Sequence, residues 1–155
     1  MPRWYFEDFT PGFTLELDGP TVKAEDIIEF AKKYDPQFFH VDAEAAKSSF
    51  FGGLCASGWH TSAMCMRMMC DSYLLDSASL GSPGIDELRW TKPVFAGDTL
   101  KLKMTVLEQR PSKSRPEMGS VLSTWEVFNQ KGERVMHMKG WGMFGKRTPG
   151  PARAE

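Results

Sequence analysis

This sequence predicts an α+β domain: an antiparallel sheet with one long helix buried against it. Two observations carry that prediction. Between Gly58 and Leu75 apolar residues surround almost the whole circumference of a helix, which asks for burial on every side. From Ile85 onward apolar and polar residues alternate, Leu100, Leu102, Met104 and Val106 against Lys101, Lys103 and Thr105, as on a strand with one buried face. With 155 residues the chain is the size of one domain with a real core. Residues 1–148 are read as that domain and 149–155 as a flexible C-terminal tail.

The elements follow in order. Thr10-Pro11-Gly12 punctuates the start, and Thr14 to Leu17 reads as a short strand closed by Asp18-Gly19-Pro20. Ala24, Ile27, Ile28 and Ala31 are spaced for a helix from Lys23 to Lys33. Its acids come first and its lysines last, the order the helix dipole favours. Asp42 is a cap for a short helix, Ala43 to Lys47, which Phe51-Gly52-Gly53 breaks off. The long helix comes next, its methionines read as core filling. Strands are expected at Ile85–Trp90, Thr99–Glu108, Gly119–Phe128 and Glu133–Phe144. Asn129-Gln130-Lys131-Gly132 is the hairpin turn between the last two.

Composition excludes several functions. A net charge of −1 gives no electrostatic case for a nucleic-acid partner. No apolar run approaches a membrane span, and Met1 to Asp8 lacks the pattern of a secretory signal. Cys55, Cys65 and Cys70 form no CxxC and have no histidine at ligand spacing, so no metal is expected. Reduced thiols in a cytoplasmic protein are the simplest account. His60 and His137 read as structural or surface residues.

The most informative stretch is Tyr34-Asp35-Pro36-Gln37-Phe38-Phe39-His40. It sets an acid and an imidazole five residues apart, an offset that converges on neither a helix nor a strand. Pro36 ends the preceding helix and turns the chain, so the two side chains can meet and hold a water. A helix-capping aspartate and a core histidine are the other reading of the same residues.

These residues resemble the MaoC-like dehydratases, a family that includes the (R)-specific enoyl-CoA hydratases. The resemblance runs from Phe6 to Phe144. It rests on Asp35 and His40, on Gly58 eighteen residues after the histidine, and on Lys92-Pro93-Val94 followed by Gly97-Asp98-Thr99-Leu100. The usual motif reads Gly-Asp-x-Asn-Pro-(Ile/Leu)-His. Here Tyr34, Gln37 and Phe38 replace its Gly, Asn and Pro, and Ser57 stands where a His often precedes the glycine. The chain looks like a side branch reading Asp-Pro-Gln-x-Phe-His.

The resemblance implies a hot-dog fold, a sheet wrapped around one central helix, and a hydro-lyase acting on a 2-enoyl or 3-hydroxyacyl thioester. It makes Asp35 and His40 the catalytic pair and the Gly58 N–H an oxyanion donor. A first-turn N–H has no intrahelical acceptor, which suits that role; a plain helix start capped by Ser57 is the alternative. Phe38, Phe39, Ser57, Trp59 and Trp90 are candidates to line the substrate site. Arg110, Lys113 and Arg115 are candidates to meet coenzyme A phosphates. No cofactor is expected beyond coenzyme A as part of the substrate. A homodimer is expected from unpaired sheet edges, with the strands from Leu100 and Gly119 offered as those edges. A non-catalytic acyl-thioester-binding protein is one alternative function. A hot-dog thioesterase is another, disfavoured because the first acid on the long helix is Asp71.

Overall fold

The computed structural model describes residues 1–148, so the tail expected over 149–155 lies outside the described residues. After a single 3-10 turn at Phe6–Asp8, strand β1 spans Thr14–Thr21. It runs through Asp18-Gly19-Pro20 rather than closing there, because a register irregularity between Asp18 and Thr21 absorbs the turn residues. Gly19 allows this: a Cβ there would sit 2.3 Å from the Met68 sulfur and 2.9 Å from the Leu100 carbonyl oxygen.

Helix α1 spans Ala24–Tyr34, with Glu25 and Asp26 in its first turn and Lys32 and Lys33 in its last. Ile27 and Ala31 are its buried stripe. A four-residue helix α2, Phe38–Val41, was not expected. Helix α3 is Ala43–Ala46, and the Asp42 carboxylate accepts from the Glu44 and Ala45 N–H groups at 3.0 Å, as its capping position implies.

Helix α4 spans Gly58–Ser72, and a 3-10 turn follows at Leu74–Asp76, so the helix stops short of Leu75. The expectation of burial on all sides needs correction. Cys65, Met68 and Met69 are buried, whereas Trp59, Ala63, Met66 and Arg67 are exposed in the single chain. The sheet covers one face of the helix and α1 packs against its start, where Phe30 stacks on His60 at 4.8 Å, which leaves Trp59, Ala63, Met66 and Arg67 uncovered among the described residues.

The sheet is made of β1, β2 (Gly84–Trp90), β3 (Thr99–Pro111), β4 (Met118–Phe128) and β5 (Arg134–Gly145). All pairs are antiparallel, in the order β1-β3-β4-β5-β2. Leu100, Leu102, Met104 and Val106 are no more than 1% exposed, so the alternation on β3 is the buried face. They pack with Val121, Trp125, Val127, Val135 and Met136 of β4 and β5 and with Met68 and Met69 of α4. Trp125 donates its indole N–H to the buried Tyr73 hydroxyl at 3.0 Å, tying sheet to helix end. At the β4–β5 turn the Asn129 N–H donates to the Glu133 carbonyl, with Gly132 at φ 74°.

β3 and β4, expected as edges, are interior strands; the edges are β1 and β2. Strand order comes from pairing between distant segments, which apolar content does not encode. A five-stranded antiparallel sheet curled on one long helix is the hot-dog arrangement, and it brings the end of α1, the start of α4 and the end of β2 together.

Candidate active site

Asp35 is the first residue beyond α1, with φ −154° and ψ 69°, and its N–H donates to Ala31 O at 2.8 Å. Pro36 cannot continue the helix. The Gln37 N–H turns back to Asp35 O at 2.9 Å, and the His40 N–H donates to Gln37 O at 2.9 Å. This double turn carries the imidazole back towards the acid. His40 Nε2 stands 3.4 Å from Asp35 Oδ2, with side-chain exposures of 7% and 19%.

The other imidazole nitrogen is spoken for. His40 Nδ1 lies 2.6 Å from the Cys55 carbonyl oxygen, which can only accept. Nδ1 therefore carries a proton in both charge states, and Nε2 is the nitrogen that gains and loses one. Asp35 accepts at both oxygens: Gln37 Nε2 donates to Oδ1 at 2.7 Å and Ser57 Oγ donates to Oδ2 at 2.7 Å. Burial pushes the Asp35 pKa up, but these two hydrogen bonds and the charge of His40 outweigh it and hold the pKa below the usual carboxylate value.

Ser57 occupies the N-cap of α4 but makes no side-chain cap, since its hydroxyl is given to Asp35. The Gly58 N–H has no acceptor among the described residues. The absent Cβ serves Trp90 first of all: a Cβ on Gly58 would lie 2.5 Å and 2.6 Å from the Trp90 ring atoms Cδ2 and Cε2. Trp90 is held there by its indole N–H, which donates to Ser62 Oγ at 3.1 Å, and by the Trp59 ring at 4.9 Å.

A cavity of about 430 Å³ opens beside these groups, lined by Gln37, Phe39, His40, Phe51, Gly58, Thr61, Trp90 and Val94 among others. His40, Phe39, Gly58 and Trp90 thus share one cavity. Asp35 is not on its lining and meets it through His40. Ser57 is fully buried behind it. Phe38 is 50% exposed with its ring edge-on to Phe39, and Trp59 is 59% exposed against Trp90; neither lines the cavity.

The Arg110–Arg115 loop is remote within the chain. Trp90 pairs with Met136, while Arg110 pairs with Ser120 and Ser120 with Met143, so the two places are roughly 23 Å apart along β5. Arg110 is bound to Glu108 and stacked over Trp141, and Arg115 is bound to Glu117. Lys113 makes no ion pair among the described residues. No three His, Cys, Asp or Glu side chains among the described residues are grouped as metal ligands, and no helix there is long and apolar enough to cross a membrane. Cys55, Cys65 and Cys70 are free thiols, and burial raises the first two to about 11 and about 12. His60 is buried, stacked on Phe30 at 4.8 Å.

Two parts of the site had little signal in the sequence. The Cys55 carbonyl acts through the backbone, where residue type leaves no mark. Gln37 was visible only as a departure from a motif.

Comparison with known proteins agrees with this fold. A MaoC-like dehydratase of known structure from Rhodospirillum rubrum is 40% identical, covering 93% of this chain and 98% of its own, with a TM-score of 0.85. A mesaconyl-CoA hydratase of Cereibacter sphaeroides is 42% identical over 72 residues, which is 46% of this chain and 21% of that protein. The R-hydratase of Pseudomonas aeruginosa shares the fold, with a TM-score of 0.75 over 97% of this chain and 92% of its own at 24% identity. The family model described as a MaoC-like domain matches residues 8–126, and this chain belongs to that family.

Proposed function

We propose that this protein is a cytoplasmic hydro-lyase that adds water to a 2-enoyl-CoA, or removes it from a 3-hydroxyacyl-CoA. The observation that carries the reading is the Asp35–His40 pair, 3.4 Å apart beside an unpartnered N–H at the start of α4. Family membership supports hydratase chemistry on acyl-CoA in general; the residue roles below are our assignment.

The thioester oxygen is placed at the Gly58 N–H, with the enoyl carbons over His40. A water held at His40 Nε2, which Asp35 Oδ2 approaches to 3.4 Å, adds through oxygen to Cβ, and Nε2 takes one of its protons. Charge moves onto the thioester oxygen, where a preorganised donor is worth about 3 kcal/mol. That proton is then delivered to Cα, so one water has been added as OH and H. Asp35 stays ionised throughout and stabilises the imidazolium. Neither a cofactor nor a metal enters the step, coenzyme A being part of the substrate.

The functional unit is proposed to be a homodimer. Edge strand β2 carries exposed Ile85 and Trp90, and α4 exposes Trp59 and Met66, an apolar surface in continuity with an unpaired backbone edge. Pairing there covers both, and makes the partner's Arg110–Arg115 loop available to coenzyme A phosphates that the chain's own loop does not reach. Light scattering checks it: a mass near one 17.5 kDa chain at micromolar concentration refutes the dimer.

A thioesterase needs a carboxylate on the first turns of α4. The first acid there, Asp71, is exposed and paired with Arg67 at 3.0 Å, which argues against that chemistry. A non-catalytic acyl-thioester-binding role draws on the altered motif, with Tyr34, Gln37 and Phe38 in place of Gly, Asn and Pro; the intact Asp35–His40 pair argues against it.

Spectrophotometric loss of the enoyl-thioester absorbance, screened over linear, branched and carboxylated 2-enoyl-CoAs, tests the proposal. Gln37 lines the cavity in place of the usual Asn, so short linear substrates are expected to be poor. Crotonyl-CoA turnover above about 10 s⁻¹ contradicts that preference, and no turnover of any member refutes the function.

A further inference from the structure

We propose that Gln37 and Ser57 are positioning residues that clamp the Asp35 carboxylate one oxygen each, and so fix the face it presents to His40. The inference rests on Asp35 and His40 acting as proposed above.

Each donor gives up an ordinary role to make the clamp. A serine at an N-cap normally accepts from the backbone N–H groups of its helix. Ser57 is 0% exposed, makes no such bond, and donates its hydroxyl proton to Asp35 Oδ2 at 2.7 Å. Gln37 is exposed, where a free side chain would be solvated. It instead folds back on the residue two before it, with its backbone N–H on Asp35 O at 2.9 Å and its side-chain amide on Oδ1 at 2.7 Å.

Two donors on different oxygens stop the carboxylate from rotating about its Cβ–Cγ bond. A carboxyl proton on Oδ1 would face the Gln37 N–H, which can only donate, so the clamp selects the anion. The fixed Oδ2 then stands beside Nε2, the imidazole nitrogen that the backbone does not engage, while Cys55 O holds the opposite side of the ring. Removing either donor frees an oxygen and weakens the aim of His40; Ser57 stands behind the cavity, so its removal does this without touching the wall, whereas Gln37 is also part of that wall.

The test uses the full-length protein with Ser57→Ala, Gln37→Leu and the control Ser57→Thr. Carbon-13 NMR follows the Asp35 carboxyl titration without substrate, and steady-state kinetics follow the best enoyl-CoA. In Ser57→Ala and in Gln37→Leu the Asp35 midpoint is expected to move upward, and Ser57→Thr to restore it. The acid limb of kcat/KM moves up in parallel. kcat falls about tenfold for each lost charge-assisted bond, and KM holds in Ser57→Ala, whose side chain is off the cavity wall. An unchanged Asp35 midpoint in the two donor-removing variants overturns the clamp even if the wild type is an active hydratase. A shifted midpoint in a protein that hydrates no enoyl-CoA upholds the clamp and overturns the hydratase reading. Gln37 is exposed, so its variant reports even if Ser57→Ala fails to fold.

Discussion

Gly58→Ala tests why a glycine stands at the start of α4. Backbone strain is not one of them, since Gly58 is absent from the positive-φ glycines. The structure points to Trp90. A new Cβ would lie 2.5, 2.6 and 2.9 Å from three atoms of its ring, closer than real Cβ contacts allow. The indole has to withdraw by roughly 1 Å to regain ordinary contact. That breaks the 3.1 Å bond from its N–H to Ser62 and loosens its edge contact with Trp59. The lost hydrogen bond costs about 1 kcal/mol and the ring pair about another 1 kcal/mol. Helix propensity returns up to about 1 kcal/mol for Ala over Gly. A net loss of about 1 kcal/mol lowers Tm by about 2–4 °C in a domain of this size. The assay is a double-mutant cycle by urea unfolding, with Trp90→Ala as the second change. With the indole gone, Gly58→Ala is expected to be neutral or stabilising. Equal destabilisation in both backgrounds refutes the reasoning.

His60→Phe removes a buried imidazole whose Nδ1 has no partner and keeps the stack on Phe30, so Tm is expected to rise by about 2–4 °C, the worth of about 1 kcal/mol. Burial lowers the His60 pKa, with Asp26 opposing, so the folded value lies below the unfolded one. The wild type then has its full stability above the unfolded pKa of about 6.5 and loses it as pH falls below. The advantage of the variant should widen from pH 8 to pH 5, and a constant gap by calorimetry contradicts it. Native thiol titration at pH 8 should label Cys70 alone within minutes, because burial raises Cys55 and Cys65; rapid labelling of Cys55 contradicts the enclosure of the His40 side of the cavity.

Local patterns were legible where one residue type answers one local geometry. Leu100 to Val106 alternates because the pleat does, and Asp35 meets His40 because Pro36 forces the turn between them. What was misread depended on distant chain. The methionines of α4 sit at every angle, and only the sheet decides that Met68 is buried and Met66 is not. The edges at β1 and β2 follow from which strands find each other, not from how apolar any one is. Ser57 looked like a cap because its neighbours in sequence are a helix; its partner Asp35 is 22 residues away and invisible to local reasoning. The site was therefore legible as a pair, while its clamp and the backbone anchor at Cys55 were not.

Turnover of Asp35→Asn and His40→Gln on the best enoyl-CoA of the screen tests the central claim most directly. With circular dichroism matching the wild type, each variant is expected to lose about 10²–10⁴-fold in kcat, the range of a lost proton-transfer group. Either variant retaining wild-type kcat within a few-fold would contradict the account, because the pair held 3.4 Å apart would then take no part in the reaction.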